Sequence, residues 1–246
     1  MKRHKEISEA ISLIKESIQN KTPLSLVRIG DGEINFIKGR GSDSWNSLVC
    51  DLYGTSTIQQ AFSIYRPLIE DAISKTDILG LLEPGSKYVS LNYDEDLWSI
   101  SDDYILGLRQ SLPLIVDHQI SRSRELGSVE GMKNILSGSS VHIISPNIER
   151  LSERKIWDLL GSDTSFTEHP LSINQSNRNH IINSFKSIKE DVVLLGVGLH
   201  KDYCTILKND YGKIAIDLGA TLDAWAGLKT RGWFEKGNLQ DYLLIN

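Results

Sequence analysis

The stretch Val192–Leu218 reads VVLLGVGLHKDYCTILKNDYGKIAIDL, and it decides the fold class of the chain. Its two short apolar runs, Val192–Val197 and Lys213–Leu218, are typical of strands that are buried on both faces of a parallel sheet. The segment His200–Asp210 between them has the length of a helix. Strand, helix and strand at this spacing predict a parallel α/β unit.

The same alternation extends outward over the rest of the chain. Four further strands are predicted at Ser25–Ile29, Ile78–Leu82, Leu114–Val116 and Val141–Ser145. Further helices are predicted at residues 1–20, where an amphipathic pattern is present, and at Ile58–Ile73, Asp94–Gln110, Ile148–Leu160 and Ser176–Lys189. The polar stretch Ser162–Asn179 is predicted to be an irregular loop. We therefore expect one Rossmann-like α/β domain over residues 1–246, with a mostly parallel sheet and helices on both faces.

Composition narrows the class of protein. Of the 246 residues 40% are apolar, which is enough for a sizeable core and excludes a disordered chain. A formal net charge of −5 argues against a nucleic-acid partner. The two cysteines, Cys50 and Cys204, exclude a disulfide framework and fit a reducing cytoplasm. No stretch of the sequence has the length and apolarity of a transmembrane helix, so we expect a cytoplasmic protein.

Polar residues follow the first predicted strand, at the edge of a parallel sheet where active sites lie. Gly30 and Gly32 frame Asp31, Glu33 follows two residues later, and Arg28 precedes them. Two carboxylates at this spacing can converge on a magnesium or manganese ion that shares its coordination sphere with phosphates. The arginine can pair with a phosphate. A plain turn with solvated carboxylates fits the same residues.

Two later strand ends carry further candidates. Gly196 and Gly198 form a turn before a predicted helix, which suits an anion or a nucleotide or is merely a strand–helix corner. Asp217 lies in an apolar run, so its carboxylate needs a partner or an exit from the sheet end. Asp223 either begins a helix or is a functional carboxylate, and Trp225 is either core or a stacking surface for a base or sugar.

Several enzyme classes lack their motifs in this sequence. There is no GxSxG nucleophile elbow, no GxxxxGK[ST] phosphate loop and no HExxH zinc motif. Serine hydrolases of the usual type, P-loop nucleotide hydrolases and zinc hydrolases are therefore disfavoured.

The run Arg28–Gly41, RIGDGEINFIKGRG, resembles the RxGDGE signature of the GT-D fold glycosyltransferases, which are bacterial, metal-dependent enzymes that use sugar nucleotides. The segments Val141–Arg150, Val192–Tyr203 and Ile216–Gly227 resemble later blocks of that family in their order and spacing. Together the similar segments span roughly residues 24–234. The resemblance implies a GT-D-like fold.

The resemblance also implies roles for residues already singled out. Asp31 and Glu33 become the pair that holds a divalent metal, Mn²⁺ or Mg²⁺, against a nucleotide diphosphate. Arg28, Gly30 and Gly32 would shape that site, and Gly198 and Asp217 would lie near the nucleotide or sugar. Gly196 and Trp225, from the reading of the strand ends, complete the expected donor-binding residues. Some family members close with a segment richer in histidine and glutamate, from which the catalytic base comes. Here Asp223 is the one carboxylate in the corresponding residues 220–225, so it becomes the candidate base.

The expected reaction is transfer of a hexose from a UDP-sugar to a hydroxyl of a glycan or glycoprotein acceptor, in the assembly of bacterial surface polysaccharide or glycoprotein. Association with a second copy or with other glycosyltransferases is a further expectation. Two alternatives stay open at this point. One is a Rossmann methyltransferase that binds S-adenosylmethionine at the Gly196-x-Gly198 turn. The other is a non-catalytic subunit that binds sugar nucleotides in a polysaccharide assembly complex.

Overall fold

The computed structural model describes residues 4–82, 99–170 and 175–228, with the backbone alone for residues 175 and 176. Seven strands in these ranges form one sheet: β1 (Leu24–Ile29), β2 (Ile78–Leu81), β3 (Leu114–Asp117), β4 (Val141–Ser145), β5 (Thr164–Glu168), β6 (Val192–Leu195) and β7 (Ile214–Asp217). Their spatial order is β3-β2-β1-β7-β6-β4-β5, and every neighbouring pair is parallel. The predicted Rossmann-like sheet is therefore confirmed.

Helices cover both faces of this sheet. One face carries α2 (Asp31–Lys38), α3 (Asp43–Tyr53), α4 (Ile58–Lys75), α5 (Asp102–Leu108), α10 (Gln175–Ser184) and α11 (Asp202–Tyr211). The opposite face carries α1 (Ile7–Asn20), α6 (Arg124–Gly127), α7 (Val129–Leu136), α8 (Ile148–Glu153), α9 (Ile156–Leu160) and α12 (Ala220–Trp225). Short 3₁₀ helices lie at His118–Arg122 and Phe185–Ser187. Each face has its own apolar core, because neighbouring strand residues such as Leu26 and Val27 point to opposite sides.

Two expectations about the middle of the chain were wrong. Residues 162–179 contain β5 and the start of α10, although a loop was predicted there. Strand β5 reads TSFTE and is at the edge of the sheet, where a strand can be half-buried and polar. The helix predicted at Ile148–Leu160 is two helices, α8 and α9, which are separated at Lys155 by a left-handed backbone conformation (φ 52°).

The other helix predictions differ from the structure mainly at their ends. The predicted N-terminal helix is α1, which begins at Ile7. The predicted helix Asp94–Gln110 is seen as α5 from Asp102, and its first five residues lie outside the described part. Helices α2 and α3 occupy residues for which no element was predicted.

The central pair of strands positions the site. Strands β1 and β7 are hydrogen-bonded neighbours, with Leu24 opposite Ile214 and Leu26 opposite Ile216. The chain leaves β1 into α2 on one face and leaves β7 into α12 on the other. Neighbouring strands that lead to opposite faces open a crevice at their carboxyl ends, which is where ligands bind in open α/β sheets. None of the helices in the described ranges is long and apolar enough to cross a membrane.

Candidate active site

The acidic residues after β1 belong to the first turn of α2 and not to a free loop. Asp31 is the first helical residue, and its side chain is exposed. Glu33 is the third, and its Oε2 accepts a hydrogen bond of 2.8 Å from the backbone N–H of Gly30. Negative charge is favoured at this end of a helix, because the first backbone N–H groups are otherwise unpaired. Gly32 has no neighbour within 4 Å of where a Cβ would lie, so this side of the turn is open.

A lysine that the sequence analysis did not single out lies at the centre of the crevice. The Nζ atom of Lys201 is 2.7 Å from Oδ2 of Asp217 and 3.2 Å from Oε1 of Glu33. The residue is 4% exposed. Burial lowers the pKa of Lys201, but the carboxylates of Asp217 and Glu33 outweigh that effect and the pKa is raised above its ordinary value. Lys201 therefore supplies a fixed positive charge between the ends of β1, β6 and β7.

Arg28 contacts the same aspartate from the neighbouring strand. Its backbone N–H donates to Oδ2 of Asp217 at 3.2 Å, and its Nε donates to the carbonyl oxygen of Asp217 at 2.9 Å. The Nη2 atom of Arg28 is 3.8 Å from Oδ1 of Asp217. Burial raises the pKa of this aspartate, but Lys201 and Arg28 outweigh it and hold the pKa below its usual value. Asp217 therefore has the partners that its place in an apolar strand requires.

Glycines allow the strand ends to approach one another. Gly219 has φ +52°, and a Cβ there would lie 2.0 Å from Nη2 of Arg28. A Cβ on Gly196 would lie 3.0 Å from Cδ1 of Leu222, so the turn after β6 packs directly against α12. Gly198 is a second residue with positive φ, at +59°. The sequence singled out Gly196 and Gly198 and missed Gly219, which is required by its positive φ and by the arginine on another strand.

Asp223 lies in the first turn of α12, but it does not cap that helix. The residue before the helix is Gly219, and Asp223 is the fourth helical residue. Its Oδ1 accepts a hydrogen bond of 2.7 Å from Nδ2 of Asn147, which follows β4. A carboxylate held by an amide N–H keeps a defined orientation. Asn147 thus orients the candidate base, through a contact that only the folded chain reveals.

Trp225 does not line the crevice, so its expected stacking role was wrong. The side chain is 0% exposed and packs in the core beneath α12. Its indole Nε1–H donates a hydrogen bond of 2.8 Å to the carbonyl oxygen of Gly127. A buried indole with its N–H paired is a structural anchor, since neither face is left for a base or a sugar.

A second buried polar group adjoins Lys201. The rings of His169, His200 and Tyr203 lie 5.1 to 5.4 Å apart between centroids, and His200 is stacked on Tyr203 at an interplanar angle of 20°. Arg178 lies over Tyr203 and pairs with Asp202. Within the described residues, neither ring nitrogen of His200 has a hydrogen-bond partner. We call these five residues the histidine cluster.

Burial governs the charge of this histidine cluster. It lowers the pKa of His200 to about 3 and that of His169 to about 4, so both imidazoles are neutral at neutral pH. Burial also raises the pKa of Asp202 to about 6, against the opposite effect of Arg178.

The carboxylates of Asp31 and Glu33 suit a metal ion that is coordinated jointly by protein and ligand. They do not suit a metal site formed by protein side chains alone. In the ranges 4–82, 99–170 and 175–228, no three histidine, cysteine, aspartate or glutamate side chains gather as a metal-binding group. Asp31 and Glu33 offer carboxylate oxygens, which are the ligands that Mg²⁺ and Mn²⁺ prefer. Mg²⁺ is commonly held by one or two carboxylates together with substrate phosphates. Glu33 is at present shared between the Gly30 N–H and Lys201.

The chain is similar to known proteins over nearly its whole length. The family model described as GT-D fold-like domain matches residues 5–225. A selenomethionine-substituted structure of the domain of unknown function 1792 has 18% sequence identity and a TM-score of 0.61, covering 94% of this chain and 80% of that one. A second structure, whose title says that this domain "has a distinct glycosyltransferase fold", has 17% identity and a TM-score of 0.59 with the same coverage. Among curated proteins none matches. The chain thus belongs to the family of GT-D fold-like domains.

Proposed function

We propose that the chain is a glycosyltransferase that binds a UDP-sugar in the crevice between β1 and β7. The observation that carries the proposal is the charge network of Arg28, Asp217, Lys201 and Glu33 at the carboxyl ends of neighbouring strands. It brings the buried Lys201 and the partly buried Arg28 close to a helix N-terminus, and this arrangement suits a diphosphate. Membership of the GT-D fold-like family favours a sugar nucleotide over S-adenosylmethionine as the ligand.

The chemistry follows from the charge that develops on the leaving group. Departure of UDP places negative charge on the diphosphate, and positive groups fixed in advance stabilise that charge without reorganising. Arg28 and Lys201 are such groups, since their partners hold them in place. Asp31 and Glu33 would hold a divalent metal, which when bound neutralises part of the diphosphate charge.

The acceptor side of the proposal rests on Asp223. In a transfer that inverts the anomeric centre, a carboxylate takes the proton from the attacking hydroxyl. Asp223 is held by Asn147 just beyond the Asp217–Gly219 turn. We propose a hydroxyl of a glycan or glycoprotein as the acceptor and the cytoplasm as the place of reaction.

Calorimetric titration of UDP with and without Mn²⁺, followed by a hydrolysis and transfer screen over UDP-sugars, tests this function. The Asp31→Asn variant should bind UDP with Mn²⁺ at least tenfold more weakly and melt like the wild type, because an exposed carboxylate contributes little to stability. The Asp223→Asn variant should bind UDP normally and lose roughly 10²–10⁴-fold in transfer rate, as expected for a general base.

Three results would contradict the proposal. Binding of S-adenosylmethionine in place of UDP would make the chain a methyltransferase. Tight UDP-sugar binding without turnover over all acceptors would make it a non-catalytic subunit. A transfer rate of Asp223→Asn within a few-fold of the wild-type rate would show that Asp223 is not the general base.

A further inference from the structure

The amino group of Lys201 occupies the point at which two carboxylates converge. It lies 2.7 Å from Asp217 Oδ2 and 3.2 Å from Glu33 Oε1. Each carboxylate also accepts a hydrogen bond from a backbone N–H. Glu33 accepts from Gly30, and Asp217 accepts from Arg28. The position of a cation between them is therefore fixed by the fold and not by the lysine alone.

The two contacts of Lys201 are not equivalent. Asp217 is 2% exposed and forms the shorter contact, whereas the Glu33 side chain is 14% exposed and the contact is 0.5 Å longer. Separating Lys201 from Asp217 would break the shorter contact, which joins two buried charges, and this is strongly unfavourable. Separating it from Glu33 frees a carboxylate that already reaches solvent. Glu33 is thus the partner that Lys201 can release.

We propose that Lys201 is a built-in cation that competes with a divalent metal for Glu33, so that the metal binds weakly until a donor diphosphate arrives. This inference rests on the proposed function, because Glu33 is there a metal ligand. Oδ1 of Asp217 accepts no hydrogen bond from the described residues, so Asp217 has acceptor capacity to keep the ammonium.

Metal and donor then bind cooperatively. The lysine ammonium sits on a flexible four-carbon stem and can reorient its three N–H donors without leaving Asp217. When a diphosphate is present, its oxygens take the contact that Glu33 gives up. The metal obtains Glu33, and the phosphates obtain an ammonium.

The decisive variant is the double substitution Lys201→Met, Asp217→Asn. It removes one positive and one negative charge, so the net charge stays the same, and Arg28 keeps its hydrogen bond to the backbone carbonyl oxygen of residue 217. The amide introduced in place of the Asp217 carboxylate keeps a side-chain oxygen for the Arg28 N–H. Glu33 is freed from its ammonium partner. Mn²⁺ binding in the absence of UDP is measured from the electron paramagnetic resonance signal of the free ion. The double variant should bind Mn²⁺ about tenfold more tightly than the wild type or better, because loss of one charge-assisted contact to Glu33 has that magnitude.

Two single variants serve as controls. Asp217→Asn leaves Lys201 with Glu33 as its one carboxylate partner in the crevice, so Mn²⁺ binding should not become tighter. Glu33→Gln should lose Mn²⁺ binding. Thermal unfolding shows whether each variant is folded, and Lys201→Gln, which replaces the charge by a neutral polar group, is the substitute if the double variant is not. It should also bind Mn²⁺ more tightly than wild type.

The outcomes separate this inference from the proposed function. If Mn²⁺ binding depends on Glu33 but is unchanged within twofold by the double variant, Lys201 is no competitor and the inference is wrong, while the metal site stands. If neither the wild type nor any variant that retains Glu33 binds Mn²⁺, with or without UDP, the proposed metal site is wrong and the inference about Lys201 is wrong too. A failure of UDP to bind any variant contradicts the donor class itself.

Discussion

At the scale of single residues, the position of Arg28 depends on the absence of a side chain at Gly219. The guanidinium of Arg28 passes over Gly219, in the space that a side chain would fill. The positive φ of Gly219, +52°, is also a conformation that other residues adopt only with strain. Space and backbone conformation therefore both require glycine at this turn.

The substitution Gly219→Ala should weaken donor binding by displacing Arg28. Its Cβ would lie 2.0 Å from Nη2 of Arg28, so the guanidinium must move. We expect at least a tenfold loss of UDP affinity by calorimetry, with a loss of about 1–3 kcal/mol in stability from backbone strain. Gly138→Ala is the matched control, because φ there is +83° with no atom within 4 Å of the new Cβ. It should lose stability alone, and equal UDP affinities in the two variants would contradict the role of Arg28.

At the scale of elements, α12 is fastened to the segment that follows β3. Trp225 donates to the carbonyl oxygen of Gly127, and the hydroxyl of Thr221 donates to that of Ser121, both in buried surroundings. These two bonds set the position of α12 and hence of Asp223. The tryptophan affects the site through the placement of a helix and not through a ligand.

The substitution Trp225→Phe should therefore reduce stability and leave UDP affinity unchanged. Loss of the indole donor leaves the Gly127 carbonyl without this bond, which costs about 1–3 kcal/mol. In a chain of this size, that lowers the melting temperature by roughly 2–4 °C per kcal/mol. Trp157→Phe, at a half-buried tryptophan that contacts Phe166 edge-on, is the control and should have a smaller effect. Weaker UDP-sugar binding by Trp225→Phe with an unchanged melting temperature would contradict a purely structural role of the tryptophan.

At the scale of the whole molecule, the histidine cluster makes stability depend on pH. His200 and His169 have pKa values of about 3 and 4 in the fold, against 6.5 in the unfolded chain, and Asp202 has about 6 against 3.8. Between pH 4 and 6 the unfolded chain thus holds a proton on each histidine, whereas the folded chain holds one on Asp202. Unfolding takes up about one proton net, so stability falls as the pH is lowered.

Urea unfolding between pH 7 and 4.5 measures this effect, with His200→Phe as the comparison. The cluster should contribute a slope of about 1.4 kcal/mol per pH unit between pH 4 and 6. In His200→Phe the remaining histidine and Asp202 offset each other, and the aromatic contacts with Tyr65 and Tyr203 are kept in kind. As the pH is lowered from 6 to 4, the stability of the wild type should therefore fall more steeply than that of His200→Phe, by about 1.4 kcal/mol per pH unit. Parallel curves for the two proteins would show that the histidine is not buried as a neutral group.

How far the sequence predicts the molecule depends on the range of the interaction. Strands β6 and β7 are evident from their apolar runs, because burial on both faces leaves that pattern in the chain itself. Strand β5 is not evident, since an edge strand tolerates polar residues. The need of Asp217 for a partner can be read from its apolar surroundings. That Lys201 meets this need cannot, because the contact joins the ends of two strands.

The same distinction holds for Trp225 and Asp223. An indole in an apolar segment is compatible with core and with ligand, and the carbonyl of Gly127 decides between them only after folding. Asn147 lies 76 residues from Asp223, and no local pattern links the two.

The pairing of β1 with β7 has a consequence for the synthesis of the chain. Leu24 of β1 pairs with Ile214 of β7, which is synthesised about 190 residues later. The middle of the sheet therefore cannot form until β7 has left the ribosome. At roughly 5–20 residues per second that interval is about 10–40 s, during which one edge of β1 is open to other strands. Lys201 and Asp217 are made in the same late part of the chain as β7. A nascent or truncated polypeptide that ends before them lacks the central strand pair and two of the four charges of the crevice, so competence to bind donor arises only after that strand pair has formed.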